Sequence, residues 1–334
     1  MVFYNPTSGK DIAVNKKPLV FGIGQCSLDY IGRIPAYPPP DVKCEFSNLV
    51  VQCGGPTATA LVALKRWGLD AFMAGVAGDD DFGAQITSSL MSEGIDTGGL
   101  VIRQNQHSQF AFIVSEPETA RRTIFWQRPT GQPLQPEELD LNLLLKSSAL
   151  HTDGLFPEAS LFACRKAKEA GIPVIVDAGT LRDGMLEIAR LSDCYVTSET
   201  FSNALSTTPE ETCRILAGLG VRFTGVTLGA KGYIALIDGR FIRKTAYPAS
   251  AVDTTGCGDI FHAGLTYGIV RGWNAEKSLD LGAWAAARVS EQIGGRSGIP
   301  NAQDLPIKGL TDLPLPPDQS TGINPLPKVI IKPS

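Results

Sequence analysis

The sequence predicts an α/β fold in which a central, mostly parallel β-sheet is covered by helices on both faces. Short apolar runs alternate along the chain with longer stretches whose apolar residues recur at helical spacing. The runs "PLVFGIG", "AFMAGVAG" and "IPVIVDAG" are apolar at nearly every position rather than at every second one. Strands of that kind are typical of parallel sheets that are buried on both sides.

The predicted elements follow one another in a regular order. After the strand "PLVFGIG" we expect the helix "TATALVALKRWG", the strand "AFMAGVAG", the helix "DFGAQITSSLMSEG", the strand "SALHTDG", the helix "PEASLFACRKAKEAG" and the strands "IPVIVDAG", "CYVTS" and "FTGVTLGAKG". Gly68 and Gly94 mark two of the helix ends, because glycine readily adopts the left-handed conformation that follows many helices.

Two regions interrupt this alternation. The stretches "YIGRIPAYPPPDVKCEFSNLVVQ" and "SQFAFIVSEPETARRTIFWQ" have the pattern of β-ribbons. They predict a small inserted β-sheet, near residues 31–53 and 108–128, that acts as a lid over a site; the alternative is a sheet extension with no function. We expect a single domain over residues 1–308, followed by a Pro-rich C-terminal tail over residues 309–334.

Composition excludes several function classes. The 334 residues carry 30 Lys and Arg against 34 Asp and Glu, and no basic block, which argues against a nucleic-acid partner. No apolar run is long enough to span a membrane and no signal peptide is evident, so a cytoplasmic protein is expected. The seven cysteines have no C-x-x-C pair, and we interpret them as reduced thiols. The three scattered histidines are interpreted as structural.

Glycine-rich stretches give the first indication of chemistry. "GIGQCSLD" lacks the third glycine of a dinucleotide-binding loop, and "GVTLGAKGY" lacks the frame of a Walker A loop. "DTTGCGD" is different, because it immediately precedes the apolar helix "IFHAGLTYGIV". Free amides at Gly256, Cys257, Gly258 and Asp259 would form a cradle for a transferring phosphoryl group. Asp259 would then act as a general base; the alternative is an acid that only complements the helix dipole.

These stretches resemble a known family. "DTTGCGDIFHAGL" is similar to the C-terminal signature of the ribokinase-like (PfkB) carbohydrate kinases, and "CGGPTATALVALKRWGLDAFMAGVAGDDDFG" is similar to the N-terminal one. The resemblance extends from Leu19 to Pro300 and is nearest in style to the sulfofructose-kinase-like branch. It implies a ribokinase-like three-layer α/β/α fold, a homodimer formed through the lid, and transfer of the γ-phosphoryl group of Mg-ATP to a primary hydroxyl of a small sugar.

The resemblance also implies roles for individual residues. It makes Asp259 the catalytic base and places the anion hole at Gly256, Cys257 and Gly258. The implied sugar-binding residues are Asp29, at the end of the first strand, Gly54, Gly55, Thr59 and Asp153. The implied contacts of ATP and Mg²⁺ are Thr227, Gly229, Gly232, Ser198 and Glu199. A monovalent cation, such as K⁺, would be held by Asp253, Thr255, Val289, Gln292 and Gly294.

The sequence departs from the family pattern at several of these positions. "SETF" replaces the N-x-x-E of many relatives, so Ser198 and Phe201 stand in place of Asn and Glu. Pro56 stands where ribokinases have a lysine, which argues against ribose. The sulfofructose-kinase-like branch has an arginine near Gly154, whereas this chain has Asp153 beside it, which suits a neutral polyol better.

Several alternatives stay open. The lid arginines Arg103, Arg121, Arg122 and Arg128 could supply a cation for an anionic substrate. A nucleoside kinase is the first rival, because Trp126 and Phe112 could line a wider pocket. A non-catalytic sugar or nucleotide sensor is the second, and a cofactor kinase without a lid is the third.

Overall fold

The fold is described from a computed structural model, which describes residues 17–116 and 121–307. The strands in these ranges are β1 (Leu19–Ile23), β2 (Ser27–Arg33), β3 (Ser47–Gly54), β4 (Asp70–Gly78), β5 (Asp96–Arg103), β6 (Phe110–Glu116), β7 (Arg121–Gln127), β8 (Ala149–Thr152), β9 (Val174–Ala178), β10 (Cys194–Ser198), β11 (Phe223–Thr227), β12 (Tyr233–Ile237) and β13 (Arg240–Lys244). The α-helices are α1 (Pro56–Arg66), α2 (Asp81–Ser92), α3 (Leu141–Leu144), α4 (Pro157–Glu169), α5 (Met185–Ala189), α6 (Glu199–Ala204), α7 (Pro209–Gly218), α8 (Cys257–Val270) and α9 (Ala275–Val289).

The large sheet has nine strands in the order β13-β12-β11-β10-β9-β8-β1-β4-β5. All neighbouring strands from β11 to β5 run parallel, and the hairpin of β12 and β13 adds two antiparallel strands at one edge. The strands β8, β9 and β10 are buried along almost their whole length, which explains why their sequences are apolar at successive positions.

Successive residues of the central strands enter cores on opposite faces of the sheet. Val20 and Met73 pack on the side of α1 and α8, whereas Phe21 and Phe72 pack on the side of α4. The rings of Phe21 and Phe72 are 4.7 Å apart between centroids. Helix α8 also packs against α9. The predicted arrangement of three layers, with a mostly parallel sheet between helices, is confirmed.

A separate small sheet has the strand order β3-β2-β6-β7. Asp29, Ala111 and Trp126 are aligned across it and share the face that we call the site face. Tyr30 and Phe112 belong to the opposite, outer face, because successive side chains alternate along a strand. The predicted small sheet is confirmed, and its strands fall within residues 27–54 and 110–127.

The boundaries of the predicted domain stay a prediction, as does the action of the small sheet as a lid. The predicted Pro-rich tail, residues 309–334, lies outside the described residues.

Candidate active site at the carboxyl edge of the large sheet

Three neighbouring parallel strands end side by side. Ile23 pairs with Thr152, and Thr152 pairs with Val176, so the next residue along each strand, Gly24, Asp153 and Asp177, forms a row at this edge. A Cβ atom at Gly24 would overlap the side chains of Thr57 and Asp153, so this crossing requires glycine. Ligands of open α/β sheets bind at the carboxyl ends of the strands, and the row therefore marks a candidate site.

Asp153 is buried and is held by donors from the protein itself. One carboxylate oxygen accepts hydrogen bonds from the Gln25 amide at 2.7 Å and from the Thr57 hydroxyl at 2.9 Å. The other accepts one from the Leu155 amide at 2.9 Å. Asp153 thus ties the loop after β1 to the first turn of α1, and its predicted contact with a sugar stays a prediction.

The amino terminus of α8 opens onto the same edge. Gly256 precedes the helix with φ +76°, and a Cβ atom there would overlap the backbone of Gly295. The first i→i−4 bond of the helix runs from the Ile260 amide to the Gly256 carbonyl, at 2.9 Å. The amides of Gly258 and Asp259 precede that bond, and a Cβ atom at Gly258 would meet open space. This is the geometry of an anion cradle.

Cys257 is the first residue of α8, and its predicted part in the anion hole stays a prediction. Its amide lies 3.3 Å from the carbonyl oxygen of Thr254, a long contact that closes the turn before the helix. Burial raises the pKa of the Cys257 thiol to about 12. The thiol is therefore protonated at neutral pH and adds no negative charge where an anion would bind.

Asp259 lies in the first turn of α8, partly exposed to the cleft. Loss of hydration raises the pKa of its carboxyl to about 8, and the negative charge of Asp177 acts in the same direction, while Arg122 opposes both. A carboxyl with a pKa near the working pH is well suited to accept a proton from a hydroxyl group.

Asp29 faces this cleft from the small sheet. It lies within β2, not at the end of the first strand as predicted, because β1 already ends at Ile23 and the chain then turns into the small sheet. The Ser27 hydroxyl donates to one oxygen of Asp29 at 2.7 Å, and the other oxygen lies against Gly54, where any side chain would overlap it. Burial raises the pKa of Asp29 to about 6, and the Ser27 hydrogen bond and Arg296 oppose this shift.

The two other residues predicted to bind the sugar follow Gly54 within five positions of the chain. Gly55 follows β3 with φ +94°, and a Cβ atom there would overlap the carbonyl oxygen of Gln25. Thr59 is buried within α1, and its amide donates to the Gly55 carbonyl at 2.8 Å. The structure thus requires glycine at both positions of the diglycine turn, and it places Thr59 in the first turns of the helix that follows.

One lid arginine connects the small sheet to the cradle. Arg122 of β7 donates a hydrogen bond from Nη1 to the Thr254 hydroxyl at 2.6 Å. Arg103 instead forms an ion pair with Glu138 at 2.6 Å, and Arg128 lies over the ring of Trp126 at 5.0 Å. The side chain of Arg121 lies outside the described residues.

The residues predicted to contact ATP lie at the ends of β10 and β11. Ser198 and Thr227 are paired across these strands. The Ser198 hydroxyl donates to the Gly179 carbonyl at 2.8 Å and accepts from the Phe201 amide, so it caps α6. Glu199 is exposed, with one oxygen 3.8 Å from Lys231 Nζ.

The turn after β11 is open on one side and tight on the other. Gly229, with φ +58°, has space around it, whereas a Cβ atom at Gly232, with φ +91°, would overlap the Lys244 carbonyl. Phe201 is fully buried and packs against Tyr195, with the ring centroids 6.1 Å apart. The position that holds Glu in many relatives therefore belongs to the hydrophobic core of this chain.

Of the residues predicted to hold a monovalent cation, Asp253, Thr255 and Gly294 are joined by hydrogen bonds. Asp253 is fully buried; one oxygen accepts from the amide and hydroxyl of Thr255, and the other accepts from the Gly294 amide at 2.9 Å. The Gln292 amide donates to the Val289 carbonyl at 3.2 Å, at the end of α9. Cation binding stays a prediction. Within residues 17–116 and 121–307, no cluster of three or more His, Cys, Asp or Glu side chains could hold a metal ion.

Sequence reasoning missed Asp177, His262 and Thr57. Asp177 directly follows the apolar run "VIV" of β9, and Asp153 follows β8 in the same way. The position of an acid at the end of a buried strand could therefore have found Asp177. His262 and Thr57 had no comparable signal, because their partners come from strands that are distant in the chain.

An open helix amino terminus with a raised-pKa aspartate beside it, at the carboxyl edge of an α/β sheet, is suited to the transfer of a phosphoryl group to a small alcohol. Comparison with known protein families identifies one family over most of the chain. The model of the pfkB family carbohydrate kinases matches residues 17–302, and the chain belongs to this family. The predicted family, the ribokinase-like fold and the class of phosphotransferases with an alcohol acceptor are thereby confirmed.

Individual relatives agree with this assignment. A fructokinase of Klebsiella pneumoniae is 30% identical over 250 residues, which cover 69% of this chain and 81% of that protein. A putative ribokinase from Agrobacterium tumefaciens superimposes with a TM-score of 0.77 at 25% identity, over 86% of this chain and 96% of the other. A putative ribokinase II from E. coli, in complex with ATP and Mg²⁺, has the same fold, with a TM-score of 0.72 at 21% identity over 87% of this chain and 97% of the other.

In the described part of the chain, none of the helices has the length and apolar character that crossing a membrane requires.

Proposed function

We propose that this protein transfers the γ-phosphoryl group of ATP to a primary hydroxyl of a small sugar or sugar-like polyol, with Asp259 as the general base. The observation that carries the proposal is the position of Asp259. It lies beside the open amides of α8, and burial raises its pKa to about 8. The site thus holds a proton acceptor and an anion cradle in one helical turn.

Each residue of the site would have a separate role in the transfer of the phosphoryl group. Asp259 accepts the proton of the attacking hydroxyl, and the amides of Gly258 and Asp259 stabilise charge on the transferred group. Asp29 accepts hydrogen bonds from sugar hydroxyls through the oxygen beside Gly54. Mg²⁺, when bound with ATP, offsets the charge on the β- and γ-phosphates. Glu199, exposed at the start of α6, would contact the water shell of that metal.

The nucleotide would lie along the ends of β10 and β11. Gly229 leaves open space for a ligand, and the tight turn at Gly232 fixes the direction of the loop. Thr227 and Ser198 lie side by side at the mouth of this surface. A monovalent cation such as K⁺ would bind near Asp253, behind the cradle, where the loop before α8 meets the loop after α9.

The small sheet would act as a lid. Arg122 already links it to the loop before α8, and closure would exclude water from the cradle and limit wasteful hydrolysis of ATP. The outer face of the same sheet would bind a second copy of the chain. We also propose that the enzyme acts in the cytoplasm, because all seven cysteines are free.

The nature of the acceptor follows from the charges in the cleft. Asp29 and Asp259 are both acids, and an anionic sugar would be repelled by them, so a neutral acceptor is favoured. The relative named fructokinase makes ketohexoses the first acceptors to test. A nucleoside kinase is the second candidate, because Trp126 is 48% exposed on the site face. Phe112 gives it no support, since it lies on the outer face.

The decisive experiment measures ADP release with Mg-ATP across ketohexoses, pentoses, sugar acids, sugar phosphates, sulfofructose and nucleosides. Asp259→Asn should lower kcat by about 10²–10⁴ while ATP binding is retained, because the base is lost but the cradle is not. The matched control is Asp238→Asn, since Asp238 is exposed in the β12–β13 turn, at the opposite edge of the large sheet.

Each outcome of this experiment has a clear meaning. Turnover of one class of acceptor that is lost in Asp259→Asn and kept in Asp238→Asn supports the proposal. Unchanged turnover in Asp259→Asn removes that residue from the role of base. Tight sugar or nucleotide binding with no turnover of any acceptor identifies a sensor rather than a kinase.

A further inference from the structure

His262 occupies an unusual position beneath the anion cradle. It lies in the second turn of α8 and is only 2% exposed. Its Nδ1 lies 2.8 Å from the Gly258 carbonyl oxygen, and its Nε2 lies 3.1 Å from the Val196 carbonyl oxygen. Carbonyl oxygens only accept hydrogen bonds, and a neutral imidazole can donate from only one nitrogen. Both contacts are therefore hydrogen bonds only when both nitrogens carry a proton.

Asp177 supplies the charge that such an imidazolium needs. Its Oδ2 lies 3.3 Å from Nδ1 of His262, and the side chain is 5% exposed. No described residue donates a hydrogen bond to this buried oxygen, so the imidazole of His262 is its nearest source of positive charge. An unpaired carboxylate at such a site is costly, whereas an adjacent imidazolium compensates its charge. The positive charge of an imidazolium at His262 and the negative charge of Asp177 would thus compensate each other.

The pair bears directly on the cradle. The Gly258 carbonyl and the Asp259 amide belong to the same peptide group, so a hydrogen bond that fixes the carbonyl also fixes the direction of the amide. We propose that His262, held as an imidazolium by Asp177, is a positioning residue that orients the Gly258–Asp259 peptide for phosphoryl transfer. This proposal rests on the proposed kinase function for its kinetic consequence but not for the protonation state of His262.

Other titratable and charged groups face the pair from several elements. They are His151 from β8, Asp153 from the loop after β8, Arg182 from the loop after β9 and Asp259 from α8, and Arg122 of β7 acts on Asp259 in turn. Burial raises the pKa of Asp177, and the positive charge of His262 opposes this shift.

His151 of β8 provides a control of matched burial, because it packs against the same helix. Its Nδ1 lies 3.0 Å from the Thr266 hydroxyl, which is one turn further along α8 from His262. Its Nε2 has no hydrogen-bond partner among the described residues, and burial lowers the pKa of His151 to about 3. His151 is therefore neutral where His262 is charged, although both are buried against α8.

The first test is two-bond ¹H–¹⁵N NMR on the full chain labelled with ¹⁵N-histidine. The chain has only three histidines, so His107→Gln and His151→Gln suffice to assign the spectrum. At pH 7 we expect the pattern of an imidazolium for His262 and of a single neutral tautomer for His151. Asp177→Asn should move the His262 signals towards the neutral form. A neutral His262 in the unaltered chain would overturn the proposal, whatever the enzyme phosphorylates.

The second test is kinetic. His262→Asn keeps a polar side chain but leaves Asp177 without a cation, so kcat should fall about 10- to 100-fold while KM for ATP changes little, as expected for a misplaced catalytic group. His151→Asn should lose comparable stability with kcat within about threefold of the unaltered chain. Equal losses of kcat in both variants would show that His262 has only a structural role, and the proposal would be wrong. If His262→Asn fails to fold, the NMR result on the unaltered chain decides alone.

Discussion

At the scale of single residues, the site places carboxyl groups where hydration is poor. Asp29, Asp177 and Asp259 each have a raised pKa, in every case first because burial disfavours the charged form. Ionised acids in such surroundings weaken the fold, since the unfolded chain would hydrate them fully. The same surroundings make Asp259 a stronger base than an exposed carboxylate. Reactivity and stability therefore oppose each other at this residue.

The first prediction concerns the pH dependence of activity. Asp259 must be ionised to accept a proton, and its pKa is raised to about 8. We therefore expect kcat/KM to rise with pH and to level off above about pH 8, with the ascending limb reporting this carboxyl in the free enzyme. A profile that is flat between pH 6 and 9 would contradict the assignment of Asp259 as the base.

A second prediction at this scale concerns stability. A carboxyl whose pKa is raised on folding stabilises the protein fully below its unfolded pKa, and this contribution is lost as the pH rises through the folded value. Asp259→Asn should therefore raise Tm at pH 8, by about 1–2 °C for each kcal/mol of stability gained in a chain of this size. The gain should vanish near pH 4, where the native acid is protonated. Thermal unfolding at both pH values is the measurement, and equal Tm values at pH 8 would refute it.

Individual residues of the site differed in how well the sequence predicted them. Asp259 and its glycines lie within one short motif, so local chemistry was enough to propose their roles. His262 lies in the same stretch, yet its partners Asp177 and Val196 come from other strands, more than sixty residues away in the chain. Contacts of that kind depend on strand order and register, which no local pattern specifies.

At the scale of elements, apolar runs and glycine stops predicted the parallel strands and the helices between them. The hydrophobic pattern did not predict where the small sheet begins. Asp29 was predicted at the end of the first strand, whereas it lies within β2. A turn of only a few residues separates β1 from β2, and both strands are buried, so their sequences read as one segment. Hydrophobic periodicity does not mark a boundary between two sheets that are joined so closely.

The turn into α8 gives a prediction that separates folding from catalysis. Gly256→Ala places a side chain at φ +76° against the Gly295 backbone, so we expect a loss of about 1–2 kcal/mol from the left-handed conformation alone, and more from the overlap. Gly258→Ala meets open space in the first turn of the helix, so stability should be kept or rise by up to about 1 kcal/mol. Gly258 is nevertheless exposed next to the amide of Asp259, so we expect the added methyl group to lower kcat by hindering the approach of the transferred group.

Urea unfolding and steady-state kinetics on the two variants would check this contrast. The expected result is a destabilised Gly256→Ala and a stable but slower Gly258→Ala. A Gly258→Ala variant with full activity would show that the amides at this end of α8 do not approach the transferred group. A Gly256→Ala variant of normal stability would contradict the tight packing against Gly295.

At the scale of the whole molecule, the mostly parallel direction of the large sheet follows from the alternation of strands and helices, and this part of the fold could be predicted. The placement of the small sheet over the cleft could not, because it depends on contacts such as that of Arg122 with Thr254, which join residues far apart in the chain. The same sheet has an outer face whose apolar side chains are exposed: Leu49, Val51, Phe112 and Phe125.

This outer face carries the last prediction, that two copies of the chain associate through the small sheet. Val51, Phe112 and Phe125 are aligned in one row across Tyr30, and Phe125 is 55% exposed. Contiguous exposed apolar patches on a soluble fold mark interaction surfaces. A closed two-fold dimer would cover the patch of each copy with that of its partner.

Phe125→Glu should therefore convert the dimer into a monomer in sedimentation or light-scattering measurements, because a charge would be buried without a partner at the centre of the interface. Leu145→Glu is the matched control, since Leu145 is 45% exposed after α3, outside the small sheet, and its replacement should leave the dimer intact. A dimer that persists in Phe125→Glu, or an unaltered chain that is monomeric, would show that this face serves another purpose. If the dimer also steadies the lid, the monomeric variant should release ADP without acceptor faster than the parent does, because the cradle would be less well protected from water.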